Sequence, residues 1–214
     1  MKNPVYKVIS LNAGKIETLT YGKQTIESAI RKQPVGEPVY LSRMGLVCDE
    51  QATEVHGGAD KALCLYPYEH YSYWRDILPD FSETALFGEN LTVEGLTEKN
   101  AHIGDTFSFG ETIIQISEPR NPCYKLAAKY DVPDMVIKVR DTGYTGFYFR
   151  VLQEGTVKPG DNLVLIEQHP HQVSVDLVND VTFFDRKNKE KLEKVLQVDA
   201  LSENYRNSLK GHDL

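Results

Sequence analysis

The sequence predicts a mainly β fold, a β-barrel with a few short helices, followed by a small three-helix appendage. Three observations lead there. Short alternating or β-branched runs separated by glycine turns recur over residues 1–168. Two of them, Ile103-Gly104-Asp105-Thr106-Phe107 and Lys158-Pro159-Gly160-Asp161-Asn162-Leu163, place a Gly-Asp turn before an alternating run, and helical stretches are too scarce for the crossovers of an open parallel sheet. After His169-Pro170-His171 the period changes, with Leu177, Val178, Val181 and Phe184 at helical spacing. The expected organisation is a barrel domain over 1–168 and a three-helix domain over 169–214.

Taken in order, residues 5–11 alternate as a strand, Asn12-Ala13-Gly14-Lys15 is a turn, and residues 16–21 are expected to return as the hairpin partner. Residues 25–32 carry Ser28, Arg31 and Lys32 and read either as a solvated loop or as part of an anion site. Residues 39–41 form a strand candidate, followed by a polar turn in which Cys48 has no evident partner. His56-Gly57-Gly58-Ala59-Asp60-Lys61 is a loop whose paired glycines permit a sharp turn and close approach to main-chain N–H groups, with Lys61 at its end as a charge for an anion. A plain turn, with His56 a hydrogen-bonded structural histidine, is the alternative. Residues 62–66 follow as a buried strand with Cys64 in the core, and Tyr71, Trp74 and Leu78 share one face of a helical stretch as core packing.

Phe87-Gly88-Glu89-Asn90 is a glycine turn that opens a strand over 91–93. Residues 136–140 are ambiguous between strand and helix, and Gly143-Tyr144-Thr145-Gly146 is a turn. Residues 147–153 alternate strongly and are expected to pair with 162–167. His169 and His171 read as linker residues, since nothing nearby completes a metal ligand set. Helices over 173–184, 189–196 and 202–209 would be marginal alone and are expected to pack on the barrel or on a partner.

A formal net charge of −7 and a pI near 5.4 argue against nucleic acid and anionic membrane as partners, yet allow a basic pocket for one small anion. With no signal-peptide core at the N-terminus and no window near ~18 uninterrupted apolar residues, a cytoplasmic protein is expected. Three cysteines without a C-x-x-C or four-cysteine cluster exclude a disulfide framework and argue against an iron–sulfur centre or zinc ribbon.

The most informative stretch is Ile116-Ser117-Glu118-Pro119-Arg120-Asn121-Pro122-Cys123-Tyr124-Lys125-Leu126-Ala127-Ala128-Lys129-Tyr130. A strand is expected up to Ser117 and a short helix after Pro122, with Asn121 as N-cap and Pro122 at the first helical position. Cys123 would then be the second helical residue, near Arg120 and Lys125, where unpaired N–H groups and cations favour a thiolate. The plain alternative is a small buried hydrophobe at a strand–helix junction.

In this setting the chain resembles the MOSC-domain proteins, and most closely their YiiM-like branch with a C-terminal three-helix domain. The resemblance covers nearly the whole chain. It rests on Ser28-Ala29-Ile30-Arg31-Lys32, Val55-His56-Gly57-Gly58-Ala59-Asp60-Lys61-Ala62, Phe87-Gly88-Glu89-Asn90-Leu91-Thr92, Ile103-Gly104-Asp105, Pro119-Arg120-Asn121-Pro122-Cys123-Tyr124-Lys125-Leu126 and Thr145-Gly146-Phe147-Tyr148-Phe149-Arg150-Val151-Leu152. One position departs: where Gly-Asp is expected after Gly45-Leu46, this chain has Cys48-Asp49.

The resemblance implies a MOSC-type barrel that binds molybdenum cofactor, with Cys123 as thiolate ligand to molybdenum. It also implies reduction of N-hydroxylated compounds, including hydroxylaminopurine-type base analogues and amidoximes. Ser28, Lys32, His56, Gly57, Gly58, Lys61, Glu89, Asn90, Arg120, Asn121 and Lys125 are the residues it places at the cofactor, with Lys32, Lys61, Arg120 and Lys125 as candidate cations for the cofactor phosphate. Such a reaction needs two electrons from outside, and a separate flavoprotein or iron–sulfur reductase is the expected partner beside the small-molecule substrate. The helical appendage is a candidate docking surface for it, and a homodimer is allowed for. The alternatives are a persulfide carrier on Cys123 and a protein that binds the cofactor without catalysis.

Overall fold

The structure is a computed structural model that describes residues 3–52 and 57–211. Thirteen strands are described: β1 (Val5–Ala13), β2 (Glu17–Tyr21), β3 (Gln24–Ser28), β4 (Gln33–Pro34), β5 (Val39–Ser42), β6 (Gly45–Leu46), β7 (Leu63–Pro67), β8 (Leu91–Glu94), β9 (Thr106–Phe109), β10 (Thr112–Pro119), β11 (Phe147–Gln153), β12 (Gly155–Val157) and β13 (Leu163–Glu167). Seven close into a barrel in the order β13-β9-β10-β11-β7-β8-β1, sealed where Val5 and Tyr6 of β1 face Val164 and Leu163 of β13. Closure leaves no exposed ladder edge among these seven.

Alternation along the strands sets the two faces. Leu63, Leu65, Ile114, Ile116, Phe147 and Phe149 enter one core cluster, while the intervening residues project away from it. All barrel pairs are antiparallel except β7–β8, which run parallel with Leu65 beside Leu91. The connection between them carries α1 (Tyr71–Arg75), whose Tyr71 and Trp74 are buried, together with Leu78, in a second cluster with Tyr66 and Phe87.

Two pairings differ from the sequence expectation. The segment after β1 does not return along it: β2 pairs with β3 around a tight turn at Gly22 (φ +60°), and β1 is taken by β8, β13 and β4. Likewise β11 does not pair with β13; it lies between β10 and β7, while β12 leaves to join β5 and β13 joins β9. Alternation specifies which face a side chain takes, and several strands offer an equally apolar face to pair with.

The ambiguous 136–140 segment is helical, within α3 (Met135–Thr142), ended by Gly143 at φ +69°. α2 (Tyr124–Tyr130) starts later than the sequence suggests: Cys123 itself is the N-cap, with extended φ −128° and ψ 160°, so Asn121 is no cap and Pro122 lies before the helix. α4 (Val175–Phe183), α5 (Lys189–Leu196) and α6 (Glu203–Lys210) are capped by Ser174, Asn188 and Ser202, whose side chains accept from the N–H three residues on. Their Val175, Val178, Val181, Val195, Tyr205 and Leu209 belong to the same core cluster as Phe107 and Ile116, so these helices share the barrel's core. Among the described residues no helix is long and apolar enough to cross a membrane.

Candidate functional site

Three neighbouring strands supply the floor of the site. In the ladder Cys64 of β7 faces Tyr148 of β11, and Tyr148 faces Glu118 of β10. Directly opposed residues share a face, so these three form a row on the side away from the barrel core. The parallel β7–β8 pair adds the next residue, because Asn90 donates its N–H to the Cys64 carbonyl at 2.9 Å while its Oδ1 accepts from Cys64 N at 3.0 Å.

Over this row lies a cleft with about 580 Å³ of empty space, its open mouth included. Cys64, Tyr148, Asn90, Arg120, Cys123, Lys125, Lys32, Lys61, Ser28 and Asp49 all line it. The chain reaches it from several directions. The turn Gly88 (φ +70°) brings the residues before β8 so near the Ser28 loop that a Cβ there would meet Ile30 O at 2.6 Å, which requires glycine. β10 delivers Arg120, whose N–H donates to Gly146 O at 3.0 Å, and Cys123 follows at the start of α2.

Charge is concentrated there. Arg120 is 7% exposed, forms no ion pair with a carboxylate among the described residues, and donates from Nη1 to the Cys64 sulfur at 3.8 Å. Burial works against its charge, but Cys64, Tyr148 and Cys123, once ionised at high pH, together with Glu89 raise its pKa above the usual arginine value. Lys125 is also buried in the wall. Lys32 pairs with Asp49, and Asp49 is fixed further by Gly14 N at 2.7 Å and Asn90 Nδ2 at 2.8 Å. Cys48 ahead of it leaves Asp49 in the site. Lys61 sits 3.5 Å from Glu118.

Burial pushes the Cys64 thiol up to about 11 and also raises the Tyr148 phenol. Both are therefore neutral near pH 7. Cys64 was expected in the core, and it is buried, yet it also borders the cleft.

Of the residues picked from the sequence, Cys123, Ser28, Lys32, Lys61, Asn90, Arg120 and Lys125 come together at this cleft. Glu89 does not line it: its carboxylate is fully buried and accepts from the Tyr71 hydroxyl, from Thr92 Oγ1 at 2.8 Å and from Phe87 N at 2.8 Å. Asn121 is exposed outside the lining. Gly57 and Gly58 do not line it; Gly58 O accepts from Lys61 N at 2.9 Å and so shapes the turn that presents Lys61. His56 lies outside the described residues. Asp49, Cys64 and Tyr148 were not picked; for Tyr148 the available signal is alternation on β11, which sets it opposite Phe147 and Phe149.

Residues 52–164 match the MOSC domain family. An uncharacterized protein of Bacillus subtilis, YflK, is 50% identical over 209 residues, covering 97% of this chain and 95% of that one. A protein of Gibberella moniliformis named "Reductase" is 34% identical over 165 residues, which are 75% of this chain and 29% of that longer one. The crystal structure of YiiM from Geobacillus stearothermophilus superposes with a TM-score of 0.82 at 35% identity, over 96% of this chain and 98% of that one. The chain belongs to the MOSC-domain family, in its YiiM-like branch.

Proposed function

We propose that this protein is a molybdenum-cofactor-dependent reductase of N-hydroxylated compounds, such as hydroxylaminopurine-type base analogues and amidoximes. The observation that carries the reading is a thiol and a buried guanidinium, without a carboxylate partner among the described residues, on the walls of one cleft. A buried cation needs a counter-charge, and a soft thiolate is a fitting ligand for a soft metal. The residues present fit a cofactor that joins a metal to an anionic phosphate. The family assignment and the relative named "Reductase" support the same reading.

Cys123 would hold the metal, and Arg120 with Lys125, Lys61 and Lys32 would hold the phosphate and pterin end. When bound, the cofactor supplies two-electron exchange with the substrate. The protein's own contribution is orientation and protons: the Tyr148 phenol, kept neutral by burial, retains a proton at Oη for a polar substrate group in the cleft. Conversion of N–OH to N–H and water consumes two electrons and two protons, so a separate flavoprotein or iron–sulfur reductase is the implied donor.

Metal analysis with a pterin assay, on protein from a host that makes the cofactor, tests the reading. Wild type is expected to hold near-stoichiometric molybdenum and pterin, Cys123→Ser to lose the metal, and wild type alone to reduce an N-hydroxylated base with a reduced dye as donor. Absence of molybdenum and pterin from both proteins overturns it.

A further inference from the structure

We propose that Glu118 is a positioning residue for Lys61, and that the C-terminal helices support the cleft from behind because Ser202 holds Glu118 in place. The inference rests on the preceding reading only in taking Lys61 to face a bound anion.

Glu118 lies near the end of β10 with a side chain only 4% exposed. A carboxylate so buried needs partners on both oxygens. Oε1 is 3.5 Å from Lys61 Nζ, on the cleft side. Oε2 accepts from the Ser202 hydroxyl, on the side of the C-terminal helices. Burial raises the Glu118 pKa, and the Ser202 hydrogen bond and the Lys61 charge act against that rise. Ser202 is the N-cap of α6, and its N–H also donates to Ser117 O at 3.0 Å, which ties the segment before α6 to β10.

A second set of bonds fixes the turn that bears Lys61. Arg150 donates from Nε to Asp60 Oδ1 at 2.8 Å and from Nη1 to Ala200 O at 2.7 Å, so one guanidinium joins the residue before Lys61 to the chain before Ser202. The Ser117 hydroxyl donates to the Asp60 carbonyl. Backbone and side chain of the Lys61 turn are thus both referred to residues 200–202. Lysine is a flexible point charge, and an anion it meets must otherwise order it on binding. A buried carboxylate held from behind orders it beforehand.

The test is trace acylation of the full chain with an amine reagent at pH 8, reading Lys61 against the exposed Lys23 and Lys187. Loss of the pairing removes the contact that holds Lys61 Nζ against Glu118 and opens the amine to the reagent, so Glu118→Gln and Ser202→Ala are expected to raise its relative labelling by about threefold or more. Ser202→Thr, which keeps both donor and cap, is expected to restore the wild-type rate. Unchanged Lys61 labelling in folded Glu118→Gln and Ser202→Ala overturns the proposal, as does a rise of the same size at every lysine. Pterin content separates this from the functional reading. Wild type and all variants equally loaded would sink the positioning role and leave the reading intact; an empty wild type would sink the reading while labelling still decides the Glu118–Lys61 link.

Discussion

The Nη1 of Arg120 points at the Cys64 sulfur, 3.8 Å away, on the floor of the cleft that Cys123 borders. A neutral thiol is a poor partner for a buried guanidinium, because sulfur accepts weakly and carries no charge. With no carboxylate paired to it among the described residues, Arg120 keeps a buried charge on the wall of the cleft.

Arg120→Met follows from that. Replacing a buried, poorly compensated charge with an apolar side chain of similar length is expected to leave the cofactor-free protein within about 1 kcal/mol of wild type, or more stable. Loss of a charged hydrogen bond of roughly 1.5–3 kcal/mol is expected to weaken cofactor retention by about 10- to 100-fold. Thermal melts of cofactor-free protein beside pterin assays of loaded protein check both. Equal losses of stability and loading would mean that Arg120 is structural.

Cys64 has a pH signature of its own. Its thiol is raised by burial from an ordinary 9.0 to about 11. A folded pKa above the unfolded one means that the stabilisation is complete below pH 9 and is lost as pH rises through 11. Two pKa units correspond to about 3 kcal/mol, so the stability difference between wild type and Cys64→Ala is expected to shrink by that order between pH 9 and 11. At pH 8 the same shift leaves Cys64 about 100-fold poorer in thiolate than an ordinary cysteine, so iodoacetamide is expected to spare it. Rapid alkylation of Cys64 in the folded protein would contradict the burial on which both expectations rest.

Much of the cleft was legible in the sequence, and the reasons differ residue by residue. Cys123, Arg120 and Lys125 stand out because prolines and a strand-to-helix change bracket them, which is local information. Lys61 stands out through the paired glycines before it. Asp49 and Tyr148 carry no such local mark: Tyr148 gains its place from β7 and β10 on either side, and Asp49 from Gly14, Lys32 and Asn90, all distant in sequence. Glu89 shows the converse, since a carboxylate next to a glycine turn resembles a ligand-binding group until Tyr71, Thr92 and Phe87 N–H are found around it. The strand pairings were illegible for the same reason. Alternation encodes a face, whereas a partner is chosen by closure of the whole barrel.

Gly88 and Gly143 separate backbone strain from crowding. Both have positive φ, +70° and +69°, but a Cβ at Gly143 meets nothing within 4 Å, while at Gly88 it meets Ile30 O and Ile30 Cγ1 at 2.6 Å. Gly143→Ala is therefore expected to cost only the left-handed penalty of about 1–2 kcal/mol. Gly88→Ala bears the same penalty and also forces the backbone at Ile30 away, for a total of about 2–5 kcal/mol. In a chain of this size the pair should differ in Tm by roughly 2–12 °C. The displaced Ile30 lies between Ser28 and Lys32, which line the cleft, so Gly88→Ala is further expected to lower cofactor content while Gly143→Ala leaves it at the wild-type level. Equal melting temperatures and equal loading in the two variants would show that the Ser28 loop moves freely and that its position is not set by Gly88.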